Sequence, residues 1–363
     1  MHGSLSKTGY NAIQRITWST VTKACTTALD RIDSPNELNK KTPMNLILPV
    51  HATNAPCGPR HFWSENASPR LPVIDRHAST DGTTKLLLEL ADGHAIESVA
   101  MAMPTTHTLC LSTQVGCPLG CVFCDTGRSG YIRNLTTSEI IAQARSTAQA
   151  VHAATQTWPE RIVFMGMGEP LLNLDNLLPA LRLLTSPHGP NLSWRKIIVS
   201  TVGIPDGLRA LASERLALPA ISLHAPTQEL RDRLMPGTRR WPLTTLIPLL
   251  ESYPLPGRER ILIEYILIPG VNDTGNHATR VHALLGRLRT KINLIPCNPS
   301  PGTSFQKPPQ LAIDTFARRL RDLGQTVFVR RDLGTDVHAA CGQLRLARKL
   351  VPDHLDACAE APS

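Results

Sequence analysis

The sequence lacks the features that would place the chain in or across a membrane. No apolar run is long enough to span a bilayer, and the N-terminus has no signal peptide. The nine cysteines are therefore not interpreted as the disulfide framework of a secreted chain. We expect a protein without a membrane partner, in the reducing compartment of the cytoplasm.

Acidic residues are scarce relative to basic ones. The chain has 29 Asp and Glu against 38 Lys and Arg, which gives a formal net charge of +9 and a pI of about 9.3. A basic balance favours a polyanionic partner, most commonly nucleic acid. Two groups of arginines are candidates for phosphate contacts, with solvated helix faces as the alternative interpretation. They are Arg231, Arg233, Arg239 and Arg240, and Arg318, Arg319, Arg321, Arg330 and Arg331.

The first 70 residues lack the regular apolar spacing of helices and strands. They are rich in Ser, Thr, Pro and Asn, so residues 1–70 are predicted to be a divergent segment without a need for ordered structure. Residues 71–105 are predicted to form a β-hairpin extension, because strand-like runs at 85–90 and 95–101 flank an Asp92-Gly93 turn. Residues 346–363 are assigned to a tail.

Residues 106–345 alternate between strand-like and helical segments, and 42% hydrophobic content is enough to bury a large core. The strand-like runs are 108–113, 161–165, 196–200, 220–223, 261–267, 292–295 and 326–329. Helical spacing is found at 138–154, 174–184, 207–212, 243–252, 277–288 and 311–323. Such alternation indicates a parallel sheet covered by helices. We predict an α/β fold, a partial (β/α)6 barrel, with a doubly wound open sheet as the alternative.

A cysteine run follows the first strand of this region. Cys117, Cys121 and Cys124 have C-x3-C-x2-C spacing. Three thiolates can bind three irons of a [4Fe–4S] cluster, and the fourth iron then keeps an open coordination position. This spacing is typical of radical S-adenosylmethionine (SAM) enzymes, in which the amino and carboxylate groups of SAM take that position. The alternative is a zinc site, which is usually built from paired C-x2-C hooks with four ligands.

Chemically distinctive residues follow several other predicted strands. Residues 165–170 read Met-Gly-Met-Gly-Glu-Pro, and 200–203 read Ser-Thr-Val-Gly. Residues 222–225 read Ser-Leu-His-Ala, and 296–299 read Pro-Cys-Asn-Pro. Active sites of (β/α) barrels lie at the carboxyl ends of the strands. We therefore expect these residues and the cysteine run to share one site.

With these motifs in view, residues 81–343 resemble the RlmN and Cfr group of radical SAM RNA methyltransferases. The resemblance is carried by Thr-Leu-Cys-Leu-Ser-Thr-Gln-Val-Gly-Cys, Gly-Met-Gly-Glu-Pro-Leu-Leu-Asn, Ile-Ser-Leu-His-Ala and Ala-Ala-Cys-Gly-Gln-Leu. It implies a radical SAM barrel with a catalytic C-terminal loop, a structured RNA substrate (rRNA or tRNA), an electron donor such as flavodoxin or ferredoxin, and a monomer. It also implies that Cys110 and Cys341 form a redox pair and that Glu97 is the proton acceptor. The implied SAM contacts are Gly168, Glu169, Ser200, Ser222, Leu223, His224 and Asn298.

The chemistry of adenine explains why such an enzyme needs these residues. Carbon 2 lies between two ring nitrogens and is too electron-poor to attack the methyl group of SAM. On the implied mechanism, Cys341 takes a methyl group from one SAM, and a second SAM gives the 5′-deoxyadenosyl radical that activates this methyl. The resulting covalent adduct with RNA is released by Cys110 and Glu97. Methylation at carbon 8, a radical SAM reaction on a substrate other than RNA, and an inactive RNA-binding protein are the alternatives.

Overall fold

Twelve strands are present in this computed structural model, which describes residues 59–64, 69–102, 105–299, 303–330, 333–339 and 341–344. They are β1 Val73–Ala78, β2 Thr83–Glu89, β3 Ala95–Ala102, β4 His107–Cys110, β5 Gln114–Gly116, β6 Tyr131–Asn134, β7 Arg161–Phe164, β8 Ile197–Thr201, β9 Leu218–Ser222, β10 Ile261–Leu267, β11 Thr290–Pro296 and β12 Val327–Val329. Ten form one sheet in the order β1-β2-β3-β4-β7-β8-β9-β10-β11-β12, and β5 and β6 form a separate ribbon.

Helices connect the strands. They are α1 Pro59–Ser64, α2 Asp125–Arg128, α3 Thr137–Thr155, α4 Leu174–Thr185, α5 Pro205–Glu214, α6 Gln228–Leu234, α7 Leu243–Glu251, α8 Gly275–Leu285 and α9 Gln310–Asp322. The α3 helix shows how local sequence sets a boundary. Thr136 caps its first turn, and Glu139 returns a hydrogen bond to the Thr136 backbone. This reciprocal pair satisfies two backbone N–H groups that the helix itself cannot.

The seven strands from β4 through β7 to β12 are all parallel. Each successive strand lies beside the previous one, with at least one helix in between, as in a (β/α) barrel. In the described part of the chain, β12 pairs with β11 and not with β4, so the sheet stays open. The predicted partial (β/α)6 barrel, an α/β fold, is confirmed.

An antiparallel extension precedes the barrel. The predicted hairpin is β2 paired with β3, with Thr83 opposite Met101 and Glu89 opposite Ala95. β3 then pairs with β4, which joins the extension to the parallel strands. The structure adds β1 as a third strand. All six of its residues are exposed, so it lacks the apolar alternation by which strands are recognised.

Several further elements, including the short helix α2, were not predicted from the sequence. The α1 helix lies inside the segment predicted to be irregular, yet Trp63 is fully buried and the Arg145 guanidinium lies over the Phe62 ring. The β5–β6 ribbon and α6 interrupt stretches that were expected to be loops. Contacts divide the chain into Met1–Met44 and Asn45–Ser363, and every described residue belongs to the second unit. None of the helices described is both long and apolar enough to cross a bilayer.

Candidate active site

The cysteine loop connects β5 to α2 and is held by backbone hydrogen bonds on two sides. The Cys117 N–H donates to the Gly130 carbonyl at 2.7 Å, which fixes the start of the loop against the β5–β6 ribbon. The Val122 N–H donates to the Leu234 carbonyl at 3.0 Å, which fixes its middle against the end of α6. The loop is therefore positioned by two elements that local patterns did not reveal.

Within the loop, the pKa values of Cys117 and Cys121 are raised by the charges of neighbouring thiols. Burial raises the pKa of all three, and the charge of Cys124 further raises the pKa of Cys117. Cys121 has its pKa raised by both other thiols in addition to burial. In the described part of the chain, no three His, Cys, Asp or Glu side chains form a site for a single metal ion. A [4Fe–4S] cluster requires a different arrangement, because each thiolate binds a separate iron.

A buried arginine lies beside this loop. The Arg231 side chain is 0% exposed and donates to the Val202 carbonyl at 2.6 Å. Longer bonds of 3.4 and 3.5 Å reach the carbonyls of Trp241 and Ser222, and the Arg231 Nε has no partner. The acceptors of these hydrogen bonds are thus all neutral backbone carbonyls. This observation corrects the sequence-based assignment of Arg231 to an RNA-contacting cluster.

The charge on Arg231 bears on what the cysteine loop can hold. Burial lowers the pKa of Arg231 to about 10, and the charges of Cys121, Asp232 and Glu169 oppose this. The side chain is therefore a cation at neutral pH. A buried charge without a hydrogen-bonded counter-charge is costly, by several kcal/mol on order of magnitude. Three thiolates next to a buried cation are a donor set that fits an anionic iron–sulfur cluster.

Glu169 follows β7 and lies close enough to the cysteine loop for its charge to raise the pKa of Cys117 and Cys121. Its carboxylate accepts hydrogen bonds from the N–H groups of Leu171 at 3.1 Å and Val202 at 2.9 Å. Burial raises its pKa to about 7, although those bonds, the Thr201 hydroxyl and Arg231 oppose the rise. Two carboxylate oxygens carry more lone pairs than these donors use, so Glu169 can still accept a bond from a ligand.

Gly168 brings the backbone close to a neighbouring segment just before Glu169. Its φ is +103°, and a Cβ there would lie 2.6 Å from the Gln114 Cβ. Only glycine fits this conformation and contact without displacement. The Gln114 side chain in turn accepts the Glu169 N–H at 2.8 Å. The turn at Gly168 and the hydrogen bond to Gln114 thus fix the position of the Glu169 backbone.

The remaining residues that the resemblance assigns to SAM lie along the same edge of the sheet. Ser200 and Ser222 end neighbouring strands, and their hydroxyl oxygens are 3.4 Å apart. Leu223 is 1% exposed, and its N–H donates to the Glu264 carbonyl at 3.1 Å, so its side chain belongs to the core. Asn298 is half-buried just after β11. The structure thus brings together the ends of the strands that carry these motifs.

His224 is held in one orientation. Its φ is +56°, and its Nδ1 accepts the Ile266 N–H at 3.0 Å. Burial lowers its pKa to about 3, with Arg231 adding to the effect, so the ring is neutral and carries its proton on Nε2. Asn272, which the sequence analysis missed, donates to the His224 carbonyl at 2.9 Å. The Phe123 ring of the cysteine loop meets the imidazole edge-to-face at 5.0 Å.

The segment that carries Cys341 docks onto the cysteine loop. The Asp125 N–H donates to the Gly342 carbonyl at 2.7 Å, and the Thr126 hydroxyl donates to the Leu344 carbonyl at 2.6 Å. The Gly342 φ is +83°, a conformation that glycine adopts without strain. Cys341 is therefore fixed next to the cluster-binding loop although it lies far away in the sequence.

Cys110 ends β4 and is buried. Burial, together with a charge on Cys341, raises the pKa of Cys110 to about 12, although Arg330 and the Met165 N–H oppose the rise. Cys110 is thus within electrostatic reach of Cys341. Arg330 is half-buried here and donates to the Met165 sulfur at 3.8 Å. Its assignment to an RNA-contacting cluster stays a prediction.

Glu97 lies on β3 and is 8% exposed, so it does not face bulk solvent. The Lys85 Nζ is 3.0 Å from its Oε1. In the register of the sheet, Lys85 is opposite Val99 and Val99 is opposite Cys110. Directly opposed residues and residues two apart share a face. Lys85, Glu97 and Cys110 therefore project from the same face of the sheet.

The fold and site are those of a radical SAM protein. The model of the Radical SAM superfamily matches residues 111–279, which include the cysteine loop and the motifs after β7, β8 and β9. The superfamily implies a [4Fe–4S] cluster and SAM, as predicted. Cys117, Cys121 and Cys124 would hold the cluster.

Comparison with known proteins narrows the class. The chain is 47% identical over 269 residues to the dual-specificity RNA methyltransferase RlmN of Geotalea uraniireducens, covering 74% of this chain and 76% of that protein. It is 42% identical to RlmN of Nitratidesulfovibrio vulgaris strain DP4, covering 85% and 87%. A crystal structure of a radical SAM methyltransferase from Sphaerobacter thermophilus is 40% identical, with a TM-score of 0.74, over 76% of this chain and 82% of that one. The chain belongs to the RlmN family of radical SAM methyltransferases.

Proposed function

We propose that the protein methylates carbon 2 of an adenine in structured RNA, ribosomal or transfer, through an S-methylcysteine on Cys341. Its relatives are RNA methyltransferases by name. The observation that supports this proposal is the docking of the Cys341 segment onto the cysteine loop, by the 2.7 Å bond from Asp125 to the Gly342 carbonyl. A methyl carrier at this position lies next to the site where SAM is cleaved. A bound cluster would supply the single electron for that cleavage.

The residues of the chain have distinct roles in this reaction. The Cys341 thiolate attacks the methyl carbon of one SAM, so that a new S–CH3 bond forms on Cys341 and S-adenosylhomocysteine leaves. Loss of one hydrogen atom from this methyl, to the radical made from a second SAM, gives the S–CH2 radical that adds to the adenine carbon. The adduct then gives up one electron to an acceptor of the iron–sulfur class and its ring proton to the Glu97 carboxylate.

Cys110 carries out the last step of the proposed reaction, the release of the RNA adduct. Its thiolate forms an S–S bond with Cys341 while the S–CH2 bond breaks, and the electron pair of that bond takes a proton from solvent to give the methyl group. The two thiols end as a disulfide, which an external dithiol must reduce before the next turnover. The raised pKa of Cys110 means that this thiol needs help to ionise, and Arg330 supplies a positive charge nearby.

Affinity for RNA is assigned to arginines that remain exposed in the structure. Arg233, Arg239 and Arg240 lie at the end of α6 and in the turn after it, and Arg318, Arg319 and Arg321 lie on α9. Phosphate contacts from such side chains supply affinity without sequence information. A flavodoxin or ferredoxin is the proposed electron donor.

The two cysteines of the proposed redox pair, Cys110 and Cys341, give the sharpest test. Cys110→Ala should still be methylated on Cys341 and add to adenine, and should then stall because no thiolate attacks Cys341. The purified variant should carry RNA that resists denaturant and disappears with nuclease. Cys341→Ala should form no adduct because the methyl carrier is absent. Cys57→Ala is a control for the loss of a cysteine without a proposed role.

Mass spectrometry of nucleosides from a deletion strain identifies the product. Loss of 2-methyladenosine is the expected result. Loss of 8-methyladenosine would assign the reaction to carbon 8, and an unchanged nucleoside profile would point to a substrate other than RNA. Normal turnover by Cys110→Ala would refute the S-methylcysteine mechanism.

A further inference from the structure

One side chain touches both the proposed proton acceptor and the segment that carries Cys341. The Lys85 Nζ lies 3.0 Å from the Glu97 Oε1 and donates to the His338 carbonyl at 3.4 Å. The Lys85 and Glu97 side chains are only 12% and 11% exposed. A charge-assisted hydrogen bond that is this shielded from water restricts the orientation of the carboxylate more than a surface ion pair does.

The Cys341 segment does not depend on Lys85 for its position. The Gly334 N–H donates to the Asp81 carboxylate at 2.7 Å. On the other side, Asp125 and Thr126 bond to the carbonyls of Gly342 and Leu344, as described above. Each of these bonds is shorter than the 3.4 Å bond from Lys85 to His338. Loss of the Lys85 ammonium should therefore leave the segment docked.

The orientation of Glu97 should depend on Lys85, because the Lys85 ammonium lies at ion-pair distance from its carboxylate and both side chains are largely shielded from water. We propose that Lys85 is a positioning residue that holds the Glu97 carboxylate toward the adduct formed on Cys341. The inference rests on the proposed function. It assigns Lys85 to the release of the RNA adduct and not to SAM cleavage or to methylation of Cys341.

The step that Lys85 supports is a proton transfer. The C–H bond at the substituted ring carbon breaks, its electron pair stays in the purine, and a new O–H bond forms at the Glu97 carboxylate. Lys85 keeps its own protons throughout. A misplacement of the acceptor oxygen by about 1 Å can slow such a transfer by about 100-fold.

Lys85→Met tests this assignment with three measurements on the reconstituted holoenzyme. They are 5′-deoxyadenosine production, the methylated fraction of Cys341 by peptide mass spectrometry, and the rate at which nuclease-sensitive RNA adduct disappears. We expect the first two to match the wild type, and release of the adduct to be slower by up to about 100-fold. Lys85→Arg, which keeps the charge, should recover most of the rate.

Two controls separate positioning from a general loss of stability. Lys196→Met removes an ammonium that lies 3.0 Å from Glu160 in an exposed pair, and it should not change release. Glu97→Gln should itself accumulate adduct, and adding Lys85→Met to it should slow release no further, because both changes remove one function.

The possible outcomes distinguish this inference from the proposed function. Release at the wild-type rate in Lys85→Met, additive effects in the double variant, or equal loss of Cys341 methylation would each overturn the role of Lys85. A wild-type protein without methyl on Cys341, or a Cys110→Ala protein without bound RNA, would instead refute the proposed function.

Discussion

A single methyl group at Gly116 is predicted to remove the cluster while leaving all three cysteine ligands in place. Gly116 ends β5 immediately before Cys117, and its φ is +78°. A Cβ at this position would overlap the carbonyl oxygen of Gly130 and lie 3.1 Å from the Tyr131 Cα. The obstacle is backbone on the opposing strand, so no side chain can move aside.

The cost has several contributions. An alanine in the left-handed region is strained by ~1–2 kcal/mol. Separating the two strands also breaks the 2.7 Å hydrogen bond from Cys117 to Gly130, which contributes ~1 kcal/mol. The sum is ~2–3 kcal/mol before any displacement of the loop. Because Cys117 takes part in the broken bond, the displacement falls on a cluster ligand.

Gly130, which directly precedes the other strand of the ribbon, provides a matched control. Its φ is +86°, but a Cβ there would meet nothing within 4 Å. Gly130→Ala should therefore show the strain alone, ~1–2 kcal/mol in urea unfolding, and should still bind about four irons per chain after anaerobic reconstitution. Gly116→Ala should unfold at lower urea and retain far less iron. Equal iron content in the two variants would refute the steric argument.

Four further results are expected. Cys124→Ala should lose the cluster and SAM cleavage together, as measured by iron content and 5′-deoxyadenosine, whereas normal cleavage would remove the cluster assignment. Deletion of residues 1–43 should leave fold and activity largely intact, and insoluble truncated protein would contradict this expectation. Trp63→Ala should lower the free energy of unfolding in urea by ~3–5 kcal/mol, because this side chain is fully buried. Burial raises the pKa of Glu169 to about 7 from 4.5, so its contribution to stability is fully present below about pH 4.5 and is lost as the pH rises through 7. Glu169→Gln should flatten this part of the pH profile, and an unchanged slope would contradict the assigned pKa.

Local sequence signals were enough for most of the barrel. The predicted strand 261–267 has the bounds of β10, and the predicted helix 138–154 lies within α3. These elements are long, with a regular apolar face that one sequence reveals. The ribbon strands Gln114–Gly116 and Tyr131–Asn134 are too short to show any alternation. They form because they pair with each other, which is a tertiary property.

The role of Arg231 shows a different limit of sequence analysis. Its neighbours Leu230 and Leu234 are apolar and buried, but a charged side chain between them suggests an exposed position. The Val202 and Ser222 carbonyls that accept its hydrogen bonds come from other strand ends. No local pattern encodes such acceptors. The proposed pairing of Cys110 with Cys341 likewise rests on family resemblance and not on a local pattern.

The open edge of the sheet explains why the segment that carries Cys341 docks as a loop. β12 ends the parallel strands on one side and β4 ends them on the other, beside the antiparallel extension. The segment after β12 joins these two sides through side-chain and backbone bonds, to Asp81 in the extension and to Asp125 after the cysteine loop. A strand in this position would have paired with β4 and closed the barrel. The docked loop instead keeps Cys341 within electrostatic reach of the buried Cys110, as the proposed redox pair requires.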